Sequence, residues 1–263
     1  MFSLTRIRES AALLGAILVV VALISALAVG MVGYLAQQAT DGVRAGLETR
    51  TGADLAFRAS LRATANADKQ DAEVRAAIVR SFAPTGVDMQ VWRSVEKRVT
   101  LRISDDDGTF SDGTGIAASY EDASERLEIV DGTFGGGGND VIVQEQAAAA
   151  LGLVVGEQLL LDGARFTVTG TWRPVDYLDP RWYGDPMVVT GLEQDYGPFV
   201  IDEGSWSRLE DEPRVRWTMM PDVSQITSAN LASVAGAWSE IDSRWRGEVD
   251  GLETLEKQGR FAQ

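Results

Sequence analysis

Carboxylates are the groups this sequence supplies most freely for chemistry: it has 39 Asp and Glu against 24 Lys and Arg, and neither His nor Cys. Without His there is no Ser-His-Asp triad, no His-zinc site and no imidazole acid–base catalysis. Without Cys there is no thiol nucleophile, Cys-metal site or disulfide framework. Paired carboxylates, a Ser-Lys dyad or a carboxylate-bound hard cation remain open. Ser94-Val95-Glu96-Lys97 has the S-x-x-K spacing in which Lys activates Ser, yet no S-D-N or K-T-G accompanies it, and it joins two strand-like runs where a helix start is required. Asp105–Asp112 has the composition of a calcium loop, but the EF-hand spacing fails and Ile116 stands where the bidentate Glu is needed. Gly135–Gly138 lacks the Gly-Lys-Ser/Thr of a P-loop and the G-x-G-x-x-G frame, so it reads as a flexible loop and no nucleotide or other cofactor is expected. Asp176–Tyr183, with Trp172 and Trp182, could form an aromatic sugar-binding surface; packing of a large loop onto a sheet is the simpler reading. No carboxylate pair has a local signature, so no catalytic, cofactor or metal residue is assigned and no enzyme activity is expected.

The elements that must carry any site begin with a run of 26 uncharged residues, Ala11–Ala36, following a basic N-terminal segment 1–10. As a helix it reaches about 39 Å, enough to cross a hydrocarbon core of about 30 Å. Arg6 and Arg8 precede it and Asp41 is the first charge after it, which places the N-terminus in the cytoplasm and the main domain outside the plasma membrane. A cleaved signal peptide ending in Ala26-Leu27-Ala28 is the rival, against which apolar character continues for eight further residues. Ala22, Ala26 and Gly30 share one helix face in the small-xxx-small pattern of close helix packing. Removing Arg6, Arg8 and Glu9 leaves 22 basic and 38 acidic residues, a net charge of −16 over 37–263. This excludes a phosphate-backbone footprint and thus nucleic acid as a partner.

Beyond the membrane, Leu35, Ala39, Val43 and Leu47 recur every four residues. They predict that the helix continues as a stalk over 37–52, ended by Gly52 and coupled through Leu35, Val43 and Leu47. Asp54–Leu61 alternates as a strand; Val74, Ile78 and Phe82 mark a helix stopped before Pro84. Strands are predicted at Val87–Trp92, Val99–Ile103, Leu127–Val130, Val141–Val143, Gln158–Leu161, Arg165–Trp172, Met187–Thr190, Phe199–Ile201 and Val215–Met219. Turns are predicted at Asp105–Gly108, Asp112-Gly113 and Asp162-Gly163. Gln144–Leu151 reads as a short helix, and Gln225–Arg246 as a long one with a Leu231, Val234, Trp238, Ile241, Trp245 seam. Strands and helices interleaved without a βαβ rhythm predict an α+β, mostly antiparallel extracytoplasmic domain over 53–250, as one large or two small domains, with 251–263 as a polar C-terminal segment.

The stretch Asp140–Asp176, DVIVQEQAAAALGLVVGEQLLLDGARFTVTGTWRPVD, resembles a segment of the FtsX-like, MacB-type ABC transporter permeases. The resemblance rests on Val141–Val143, Leu151-Gly152, Val155-Gly156-Glu157, Gln158–Leu161, Gly163 and Phe166-Thr-Val-Thr-Gly170, with Leu127–Gly132 as the strand and turn before them. It implies a MacB-like periplasmic core domain that binds a partner or substrate, moves with its transmembrane helices, and works with a separate cytoplasmic ATP-binding subunit in a complex with a dimer of permeases. It also implies that further transmembrane helices are missing after 251–263, the chain being a fragment or a truncated product. No catalytic residue follows from it. A membrane-tethered hydrolase using carboxylates on cell-wall sugars, or a single-span binding or sensor protein, are the competing readings.

Overall fold

A computed structural model describes residues 55–104, 110–249 and 252–257. The apolar run 11–36, the stalk 37–52 and most of Asp105–Asp112 lie outside the described residues. Among the described residues no helix is long and apolar enough to cross a membrane. In chain order the elements are β1 Phe57–Arg62, α1 Ala67–Phe82, β2 Met89–Ser104, β3 Phe110–Tyr120, α2 Ala123–Arg126, β4 Leu127–Gly132, β5 Asp140–Gln144, α3 Glu145–Leu151, β6 Gln158–Leu161, β7 Ala164–Pro174, α4 Pro186–Thr190, β8 Tyr196–Ile201, β9 Arg214–Pro221, α5 Leu231–Glu248 and β10 Leu252–Lys257. The architecture is α+β with a mainly sheet core, and every strand pairing is antiparallel except β3 with β8 and β5 with β7.

At one end of the sheet the order is β10-β1-β9-β2. Here β1 and β2, joined through α1, run parallel with β9 between them; β9 and β10, joined through α5, run parallel with β1 between them. This is the split βαβ pair of a ferredoxin-like fold. Alternation decides the faces: Phe57, Ala59 and Leu61 with Val215, Trp217 and Met219 point to the helices, meeting Val74, Ile78 and Phe82 of α1 and Val234, Trp238, Ile241 and Trp245 of α5. Phe57 is the hub, stacked at 5.9 Å on Phe82 and edge-on at 4.9 Å to Trp238.

Between β2 and β9 the chain builds a second lobe. The pairings β2-β3-β8-β5-β7-β6 return to β2 and so close a ring. A barrel this small is filled by its own inward side chains, here including Val99, Leu101, Leu159, Phe166, Val168 and Phe199, with Ala147 and Ala148 of α3 packed against them. The two lobes share β2, whose 16 residues reach about 53 Å at roughly 3.3 Å each. Its first half pairs with β9 and its last residues with β6.

Four expectations require correction. Met89–Trp92 and Val99–Ile103 belong to one continuous strand, β2, which Val87 and Asp88 precede, so Ser94–Lys97 lies mid-strand. Asp112-Gly113 is no turn: both residues sit in β3, opposite Arg102 and Leu101. The sequence hides β3 because it is rich in Gly and Ala, and it must be, since a Cβ on Gly115 would lie 2.6 Å from the Phe199 ring. Met187–Thr190 is α4, a helix. Asp185 accepts the Met187 N–H at 3.0 Å, Pro186 opens the first turn and Gly191 closes the helix at φ +66, so capping overrides the strand propensity of Val188 and Val189. The long helix starts at Leu231, after a separate turn Val223–Gln225 held by Asp222.

Candidate functional site

The sheet face away from α1 and α5 carries Arg58 and Ser60 of β1, Trp92, Ser94 and Glu96 of β2, Arg216 and Thr218 of β9, and Tyr120 of β3, as the strand registers require. A strap over residues 175–191 covers part of this polar face. Arg58 donates from Nη2 to the Trp182 carbonyl at 3.0 Å and from Nε to Thr218 at 3.3 Å, and its guanidinium lies 4.5 Å from the Tyr183 ring centre. Arg181 lies over Trp92 at 5.2 Å. Trp182 is buried edge-on against Tyr120 at 5.2 Å and donates its indole N–H to the Asp176 carbonyl at 2.9 Å.

Where the strap meets the sheet, the fold brings Asp185 of the strap into electrostatic contact with Glu96 of β2, a carboxylate pair that the sequence does not mark. Glu96 is ion-paired to Arg216. Burial, and then the Glu96 charge, raise the Asp185 carboxyl above its ordinary range, and burial with the same neighbours raises the Tyr120 phenol well above its own. A carboxyl raised by burial beside a second acidic side chain has the electrostatics of an acid–base pair. Its surroundings are those of a latch: Asp185, itself a strap residue, caps α4, and Glu96 is held by Arg216 and Ser94. Sequence reasoning missed Arg58 and Asp185, since one is a single polar position in an alternating strand and the other a loop residue 127 positions away.

Beside the latch, a cleft of about 830 Å³ opens at the junction of the two lobes, lined by Arg62, Glu96, Lys97, Arg98, Ile116, Asp211, Glu212, Arg214 and Arg216. Each of its cations has a carboxylate partner. Arg62 and Arg214 share Glu253 at 2.8 and 2.9 Å, Lys97 meets Asp162 at 2.5 Å and Arg98 meets Asp195 at 2.8 Å. The cleft is charged but balanced, suited to holding the lobes and not to concentrating one sign of charge.

The motifs singled out from the sequence resolve as follows. Ser94 and Lys97 are three residues apart on one strand, so they face opposite sides of the sheet, and Lys97 is committed to Asp162 while Ser94 meets Glu96. The Gly loop is held shut by Asp140, which accepts the N–H groups of Gly136 and Gly137 at 2.9 and 2.8 Å. Trp172 and Trp182 form no surface; both are buried with Leu127, Ile142, Val188 and Val200. Among the described residues no cluster of carboxylates is placed to hold a metal. Ala22, Ala26, Gly30, Leu35, Val43 and Leu47 lie outside the described residues.

The segment that carries the family resemblance folds as a unit, with β4 and β5 on either side of β7 and β6 hairpinned to β7 through Asp162-Gly163, both at positive φ. No family model and no curated protein matches the sequence. Several solved structures match, two of them as follows. The extracellular domain of the noncanonic ABC-type transporter YknZ from Gram-positive bacteria does so at 12% identity and a TM-score of 0.39, over 76% of this chain and 98% of that one. The periplasmic region of MacB from Actinobacillus actinomycetemcomitans does so at 9% identity and a TM-score of 0.42, over 79% and 91%. Identities this low carry no residue role across to this chain.

Proposed function

We propose that this chain is the N-terminal part of an FtsX-like ABC permease, whose extracytoplasmic domain binds a partner or substrate and moves with membrane helices driven by a separate ATPase subunit. One observation carries the reading furthest. The domain begins and ends on one antiparallel strand pair, with Phe57 opposite Lys257. A chain that rises from a membrane helix into β1 and leaves through β10 therefore returns to the place it came from, which is what a domain inserted between two membrane helices requires. Strand β1 lies between β9 and β10, so a force on the segment before Phe57 acts on the interior of the sheet. The hydrolase reading is less well supported, because the carboxylate pair brought together by folding is occupied, Glu96 by Arg216 and Asp185 by the α4 cap.

The test is purification of the natively expressed chain from membranes in mild detergent, through a tag on its extracytoplasmic domain. A P-loop ATPase subunit that copurifies and hydrolyses ATP is the expected result. Purification of the chain alone, with no ATP hydrolysis, would refute the proposal and leave the single-span binding or sensor reading.

A further inference from the structure

The first half of β2 is half-paired. Strand β3 accompanies β2 only from Ser94 onward, so Met89–Arg93 has β9 on one side and, among the described residues, no strand on the other. On that open side Arg93 exchanges bonds with Glu121, and the Val91 carbonyl accepts from Arg75 at 3.3 Å. Alternation then directs the Val91 N–H and both main-chain groups of Met89 outward as well. Alongside this edge runs a groove of about 540 Å³ between β2 and α1, floored by Ile78, Phe82, Val87, Met89 and Val91. Val79 stands on its helical wall with 63% of its surface exposed.

Of the carboxylates near the groove, Asp88 lines it and Asp222 lies next to Asp88 on the β9 side of β2. Asp88 and Asp222 share one amide, Gln225 Nε2, at 2.9 and 3.0 Å, and neither forms an ion pair among the described residues. Arg75, the cation lining the groove, is already held by Asp71 and Glu121 at 2.8 and 2.9 Å. An apolar floor, outward main-chain groups and an uncompensated pair of carboxylates together describe a receptor for an extended polypeptide.

We infer that the β2–α1 groove binds a basic, alternating apolar segment of a partner protein, which adds as a short strand beside Met89–Val91. Its apolar side chains enter the groove and a Lys or Arg meets Asp88 and Asp222. The inference holds whether or not the chain belongs to a transporter, so its failure and that of the permease reading are distinguishable.

Fluorescence anisotropy of the full chain in detergent micelles tests it with a labelled peptide that alternates Lys and Val. Controls are a peptide of the same charge alternating Lys and Gly, and one alternating Glu and Val. Saturable binding of the Lys-Val peptide, at least tenfold tighter than either control, is expected. Asp88→Lys and Val79→Lys should each weaken it tenfold or more, with thermal midpoints unchanged; both sites are exposed, so folding is spared. Met89→Pro, which removes an outward N–H together with one side chain of the groove floor, should do the same. Equal binding of the Lys-Gly peptide would reduce the effect to attraction by the acidic chain as a whole, and unchanged affinity in all three variants would place the peptide elsewhere; either result overturns the inference.

Discussion

Gly170 closes the Phe-x-Val-x-Gly pattern on β7, and the structure explains why a glycine stands there. Strand β4 bulges between Ile129 and Asp131 as it crosses β7. A Cβ on Gly170 would lie 2.6 Å from the Thr133 carbonyl oxygen, 2.8 Å from that of Asp131 and 3.1 Å from the Thr133 nitrogen, all main-chain atoms that cannot rotate away. Gly170→Ala must therefore displace β4, an overpacking cost of about 3 kcal/mol. The alanine recovers about 0.4–1 kcal/mol through the less flexible unfolded chain, leaving a net loss of about 2 kcal/mol. For a domain of this size that corresponds to a fall in melting temperature of about 4–8 °C. Tryptophan fluorescence during a thermal ramp reads the domain selectively, since all seven tryptophans lie between Trp92 and Trp245. Gly136→Ala is the control, because nothing lies within 4 Å of its added Cβ and its φ is unconstrained. If Gly170→Ala melts within a degree of Gly136→Ala, close packing is not the reason for the glycine and the account of the motif fails.

Three further outcomes are expected. Gly236→Ala, inside α5 with open space around the new methyl, should stabilise the domain by about 0.5–1 kcal/mol in urea unfolding. Asp185 is held above its ordinary 3.8 by burial and by Glu96, so the folded state binds its proton more tightly than the unfolded state. Its contribution to stability is thus largest below pH 3.8 and falls as pH rises through the raised folded value. Asp185→Asn, which keeps an oxygen to cap Met187, should raise the melting temperature at pH 7 and flatten the pH dependence over that interval; a lower melting temperature at pH 7 would show that the charge is stabilising. On the permease reading proposed above, a Gly-Ser segment inserted between Gln38 and Asp41 should abolish the transport phenotype while sparing assembly and ATP hydrolysis by the ATPase subunit, because a flexible link dissipates force that a helix transmits. Full activity would reduce the stalk to a tether.

Much of the fold was legible because it depends on local rules. Alternation in Phe57–Leu61 and Phe166–Trp172, the Val74, Ile78, Phe82 stripe and the Leu231–Trp245 seam each name a buried face without knowledge of the partner, since burying apolar surface demands that period whatever lies opposite. The apolar length of Ala11–Ala36 is likewise a property of sequence alone. Capping was harder to read: Asp185-Pro186 and Gly191 made a helix of a β-branched segment because a few backbone angles outweigh weak propensities. Other features were decided only in three dimensions. The need for glycine at 115 and 170 shows only when Phe199 and the β4 bulge are seen beside them. The closure of β2 with β6, the division of β2 between two lobes, and the meeting of Arg58, Glu96 and Asp185 all join residues distant in the chain. No local pattern encodes such contacts, because register and long-range pairing are selected by the fit of whole surfaces, not by the neighbours of any one residue.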